Sequence, residues 1–184
     1  MEYSTIDRRR PAGRLIIRAA GPTDWAAATA LLHEYVEWMR TATTFDPLVE
    51  QPSFATELDD VRAHYSRSDV VLFTAWLDEQ AVGTLAVSFH PGDTAELKRM
   101  YVRANARGSG VADALLATAI SAAERRRCTH VWLETVRGAM DAAISVYRRH
   151  GFRVVEEADS TLGMAGVVVM RRHLAGSLPV RPVQ

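Results

Sequence analysis

Hydrophobic positions recur along this chain with two periods, and the period changes where glycine and proline interrupt it. Leu15, Ile16 and Ile17 open a first strand in RLIIRAA. After GPTDW, Ala27, Leu31, Leu32, Tyr35 and Met39 fall on one side of a helix, with Thr23 or Asp24 placed as its N-cap. TATTFDPLVEQPS, broken by Pro47 and Pro52, reads as a loop, and a second helix is predicted from about Ser53 to Tyr65. DVVLFTAWLDEQAVGTLAVSFHPGD reads as two strands joined at Asp78-Glu79-Gln80, and TAELKRMYVR as the next strand.

From Gly110 to Arg127 the pattern is helical again. Val111, Ala112, Leu115, Leu116, Ala119, Ile120 and Ala123 make a core-facing stripe, and Arg125, Arg126 and Arg127 suit the negative end of the dipole. THVWLETV is a strand. A helix follows from about Met140 to His150, closed by Gly151 as its C′ residue. FRVVEE and AGVVVMRR can form a closing hairpin. The order is β-α-α-β-β-β-α-β-α-β-β, an α/β chain whose segment from Glu96 to Thr135 is expected to be a right-handed parallel crossover in a mixed sheet.

Composition narrows the classes. The 184 residues, 48% hydrophobic and 24% charged, fit one soluble domain over 14–175 with loose ends at 1–13 and 176–184. Lys and Arg number 22 and so do Asp and Glu, so no net field draws the chain to nucleic acid or to an anionic membrane. The two RRR runs read as a tail and a helix end, and Lys98 is the only lysine. The single Cys128 excludes an internal disulfide and a Cys-based zinc site, and no metal is expected. No apolar run is long enough for a membrane span, and MEYSTIDRRRPAGR has no signal-peptide core, so the cytoplasm is the expected compartment.

The distinctive stretch is VRANARGSGVADALL. Arg107-Gly108-Ser109-Gly110-Val111-Ala112 sets a run of backbone N–H groups at a helix N-terminus, at the carboxyl end of a central strand, where anionic ligands bind. Gly108 and Gly110 let the backbone approach a phosphate, and Ser109 adds a hydroxyl. No lysine follows as in a P-loop, and Asp113 stands where a dinucleotide fingerprint has its third small residue. Arg-x-x-Gly-x-Gly/Ala remains, met by Arg107, Gly110 and Ala112.

ELKRMYVRANARGSGVADALLATAI, LETV and AAISVYRRHGF together resemble the GNAT superfamily of N-acetyltransferases. The resemblance implies a three-layer fold with a mixed sheet of about six or seven strands, helices on both faces and a splayed central parallel pair. It implies acetyl-CoA, with its pyrophosphate on the amides of 108–112 and its pantetheine along Met100, Tyr101 and Val102. Tyr147 matches the family's tyrosine near the thioester sulfur, and Glu96 stands where some members carry a base. Glu134 is a second candidate base, with His90 and His33 as further alternatives. Either glutamate could instead be paired with Arg99 or Arg103. Asp141 stands near the family's cofactor-contacting asparagine and is read as solvent-facing or a cap. Cys128 is expected away from the cofactor, which favours direct transfer over an acetyl-cysteine.

The acceptor, a small-molecule or peptide amine, is expected between the first two helices, walled by Tyr35, Trp38 and Phe45. Glu34, Glu37 and Asp46 would attract its charge. Dimers are common in the resembled family, so a homodimer is the assembly it suggests. The competing readings are a non-catalytic acyl-CoA-binding module and a nucleotide-binding protein.

Overall fold

A computed structural model describes residues 13–43, 46–155 and 166–174. The predicted tails apart from residue 13, Phe45 and the turn of the closing hairpin lie outside the described residues. The chain forms β1 (Leu15–Ala19), α1 (Trp25–Ala42), α2 (Pro47–Glu50), α3 (Pro52–Asp59), α4 (Val61–Tyr65), β2 (Val70–Leu77), β3 (Gln80–His90) and β4 (Thr94–Val102). A 3-10 turn at Ala104–Ala106 leads to α5 (Val111–Arg125), β5 (His130–Val136), α6 (Asp141–Arg149), β6 (Arg153–Val154) and β7 (Val167–His173).

The strands make one seven-stranded sheet in the order β1-β2-β3-β4-β5-β7-β6. Every neighbouring pair is antiparallel except β4 and β5, which run parallel as expected of a strand–helix–strand unit. Alternation along the strands gives the sheet two apolar faces. Leu72 and Ala86 pack with Ala28 and Leu32 of α1 and Val61 and Tyr65 of α4. Their neighbours Phe73, Leu85 and Val87 pack with Leu115, Leu116 and Ala119 of α5, and with Ile144 and Tyr147 of α6. The helical stripe read from the sequence is the buried face of α5, except that Ala112 is only half-buried.

Three local readings are corrected. The second helix is two short ones, because Asp60 stops α3 and caps α4, accepting from Ala63 N at 2.8 Å. Part of the predicted loop is α2, with Asp46 capping Leu48 N and Pro47 in the first turn, where its missing donor costs nothing. On α1 the buried face holds Ala28 and Val36, while Ala27 and Tyr35 lie at its edge. Asp24 does precede this helix but makes no side-chain cap. Its carboxylate instead accepts from Gly21 N and Arg18, which holds it below the usual range against the opposing effect of burial.

Two departures from regularity shape the middle of the sheet. Pairing of β4 with β5 ends at Leu97↔Leu133, although the strands continue to Val102 and Val136, so the pair parts towards its carboxyl end. At the same level β4 carries a bulge: Ala86 pairs Lys98 and Thr84 pairs Tyr101, leaving Arg99 and Met100 out of the ladder. Arg99 has φ 55°, a conformation that costs a non-glycine residue about 1–3 kcal/mol and persists only where its surroundings impose it.

Those surroundings are specific. The Arg99 guanidinium, nearly buried, donates to both oxygens of Glu57 at 3.1–3.3 Å and to Gln51 Oε1 at 2.8 Å, and stacks 3.5 Å from the Phe54 ring centroid. Tyr65 donates its hydroxyl to the same Glu57, and Thr84 donates to Arg99 O at 3.0 Å. Gly83, opposite Val102, allows β3 to lie close here, since a Cβ would stand 2.8 Å from Tyr101 O. Glu57→Ala is expected to strand the Arg99 charge and cost about 3–5 kcal/mol of folding free energy, read as a fall in urea midpoint. A loss below about 1 kcal/mol contradicts this anchoring role.

Candidate active site

The gap between β4 and β5 opens into two cavities that share a wall. One, of about 330 Å³, is lined by α1, the α2–α3 segment, β4, β5 and α6. The other, of about 360 Å³, is lined by the end of β4, the Arg107–Asp113 segment and α6. Trp38, Met100, Met140 and Ala143 line both, so the bulged strand stands where the two cavities meet.

The second cavity contains the loop singled out by its glycines. Met100, Tyr101, Val102, Arg107, Gly108, Gly110, Val111 and Ala112 all line it. Gly108 and Gly110 have φ of 76° and 86°, and a Cβ on either would meet nothing within 4 Å. The loop thus presents backbone to open space. Gly110 is the N-cap of α5 and no side-chain hydrogen bond caps the helix, so its first-turn donors are available to an anion. Ser109 does not line the cavity; its hydroxyl donates to Ala106 O at 2.6 Å and braces the turn. Arg107 is tied to the strand end, donating from Nε to Val102 O at 3.0 Å, with its guanidinium 5.5 Å from the Trp38 ring centroid. These residues fit the diphosphate and pantetheine of a coenzyme A.

The first cavity has the opposite character. Glu50, Glu96 and Glu134 line it with Lys98, Tyr35, Trp38 and Tyr147. Glu96, mostly buried, meets Lys98 Nζ and His90 Nε2, each at 3.0 Å and both through Oε2. His90 is two-fifths exposed and gives this carboxylate a link to solvent. The alternative pairings fall elsewhere, because Arg99 binds Glu57 and Arg103 binds Glu34 at 2.6 Å. Tyr147 is buried, its ring 5.9 Å from Phe152, and no hydrogen bond among the described residues engages its hydroxyl. Burial pushes its pKa far above the ordinary phenol value, with Tyr35 adding a little, so it stays protonated throughout the neutral range.

Other expected contributors lie outside the cavities. Glu34 serves Arg103, while Glu37 and Asp46 both bind Arg40. The cavity's acidity comes instead from Glu50, Glu96 and Glu134. Asp141 is exposed and accepts from Gly138 N at 2.9 Å, a turn-closing role. His33 is exposed, and Cys128 is buried away from both cavities with its thiol pKa raised by that burial. Gln51, Glu50 and Ser53 could not be assigned to the cavity from sequence, since their segment carries proline-interrupted loop chemistry rather than a periodic pattern.

Comparison with known proteins agrees with this geometry. The profile of the acetyltransferase (GNAT) family matches residues 32–152. The chain belongs to that family. N-acetylaspartate synthetase of Danio rerio is 36% identical over 106 residues, which are 56% of this chain and 37% of that protein. The chain therefore spans little more than a third of that relative's length. A GNAT acetyltransferase of Staphylococcus aureus superposes with a TM-score of 0.70 at 18% identity, covering 87% of this chain and 99% of the other. The PaiA N-acetyltransferase of Thermoplasma acidophilum, solved in complex with coenzyme A, gives 0.70 at 17% identity over 88% and 99%. The seven-stranded mixed sheet with its single parallel pair is thus the GNAT fold. Among the described residues, no helix is long and apolar enough to cross a membrane.

Proposed function

We propose that this GNAT-family chain transfers an acetyl group from acetyl-CoA to a primary amine, by direct attack in a ternary complex. What supports the reading most is that the two cavities meet at Met100: an amide-lined one suited to a diphosphate and a carboxylate-lined one suited to an ammonium. The N-acetylaspartate synthetase relative is named for an N-acetylated amino acid, which favours an amine as acceptor.

Acetyl-CoA supplies a thioester already activated for attack, so positioning can contribute much of the acceleration. The backbone at Met100, released from the β3 ladder, is available to the thioester oxygen. An amine with a pKa near 10.4 arrives protonated and must lose its proton before attack. Glu96 takes that proton, directly or through one water, and His90 passes it to solvent. As the new C–N bond forms and the C–S bond breaks, Tyr147 donates its phenolic proton to the departing sulfur, and the second proton shed by the attacking nitrogen returns to the Tyr147 oxygen, directly or through water. Tyr35 and Trp38 wall the acceptor, and Glu134 and Glu50 add negative charge around it.

The reading is tested by following thiol release with a panel of primary amines. Tyr147→Phe is expected to lower kcat by about 10²–10⁴-fold with coenzyme A affinity unchanged. If coenzyme A binds but no amine releases thiol, the chain is an acyl-CoA-binding module instead. Glu96→Gln is expected to depend on the free-amine fraction, so its kcat/KM rises about tenfold per pH unit between pH 7 and 9, more steeply than the parent's. Parallel profiles for variant and parent remove Glu96 from the proton path.

A further inference from the structure

The cofactor cavity holds a cation that the loop motif does not account for. Arg149, in the last turn of α6, lines this cavity and not the carboxylate-lined one, as do Asp113 and the loop residues Arg107, Gly108, Gly110, Val111 and Ala112. It therefore stands on the cofactor side of the groove.

Across from it is Asp113, in the first turn of α5 and also on the cavity wall. One nitrogen of Arg149, Nη2, donates to both Asp113 oxygens at 3.1 and 3.0 Å, and His150 Nε2 meets Oδ1 at 3.0 Å. The Arg149 side chain is 57% exposed, so this is a weak surface pair, and Nε and Nη1 have no partner among the described residues. When Arg149 turns away, Asp113 keeps His150 and the positive end of α5, so releasing the arginine costs little. The loop amides are dipoles without net charge. A further phosphate beyond the diphosphate calls for an ionic partner, and a guanidinium with free donors matches it bidentately.

On the acetyl-CoA reading above, we propose that Arg149 binds the ribose 3′-phosphate that distinguishes coenzyme A from dephospho-coenzyme A, exchanging Asp113 for that phosphate on binding. Asp113, at the position where a dinucleotide loop would be small, holds the arginine at the groove in the free protein.

Calorimetric titration of the full chain with coenzyme A and with dephospho-coenzyme A tests this. The parent is expected to favour coenzyme A by about tenfold, and Arg149→Ala to remove that preference by weakening coenzyme A alone. Arg149→Lys should keep part of it, because the charge is retained. Equal weakening of both ligands by Arg149→Ala, or no change in either, overturns the assignment. A parent that binds neither ligand overturns the acetyl-CoA reading itself, whereas a parent that binds both with a ratio indifferent to Arg149 overturns only this one.

Discussion

The buried pair between Arg99 and Glu57 joins the helical half of the molecule to the strand on which the chemistry depends. Arg99 occupies a backbone conformation that a side chain ordinarily avoids, and it does so because Glu57, Gln51 and Phe54 clasp its guanidinium. The resulting bulge frees Met100 from β3 at the level where β4 parts from β5. A sheet paired regularly throughout would leave no gap between the two cavities. The same clasp fixes α3 against the strand, so one wall of the carboxylate-lined cavity is set by the interaction that shapes the strand. A buried ion pair is a poor source of net stability, and its contribution here is to specify geometry.

Charge then divides the groove. On one side lie uncapped amides, Arg107 and Arg149, and on the other Glu50, Glu96 and Glu134 with Lys98. In the proposed transfer, an anionic cofactor and a cationic acceptor are drawn to opposite ends and brought together at the bulge. The aromatic rings of Tyr35, Trp38 and Tyr101, with centroids 6.2–6.4 Å apart, cluster near the boundary, where Trp38 lines both cavities. Burial keeps Tyr147 protonated throughout the neutral range, the state that the proposed transfer to the sulfur requires.

Much of this was legible in the sequence because it is encoded locally. The strand and helix periods, the turn at Asp78 and Glu79 and the glycines of the phosphate loop each involve residues close in the chain. Long-range pairing was not legible. Arg99 and Glu57 are 42 residues apart, and Arg103 and Glu34 are 69 apart, so nothing in the spacing says which carboxylate each arginine takes. The positive φ of Arg99 is equally hidden, because it is imposed by those partners and not by a glycine. Pro47 and Pro52 suggested a loop where they in fact begin short helices. For the same reason Glu34, Glu37 and Asp46 were expected at the acceptor, whereas the structure commits each of them to an arginine.

A divided groove built for a coenzyme A thioester should respond to its ligand in thermal unfolding with acetyl-CoA, coenzyme A, ATP and NAD run in parallel. A ligand present at a hundred times its dissociation constant stabilises the folded state by about 2.7 kcal/mol. For a domain of this size that raises Tm by roughly 5–11 °C. Such a rise is expected with acetyl-CoA and coenzyme A, and little or none with ATP or NAD. An unchanged Tm with both coenzyme A species at millimolar concentration, or a larger rise with ATP or NAD, would contradict it.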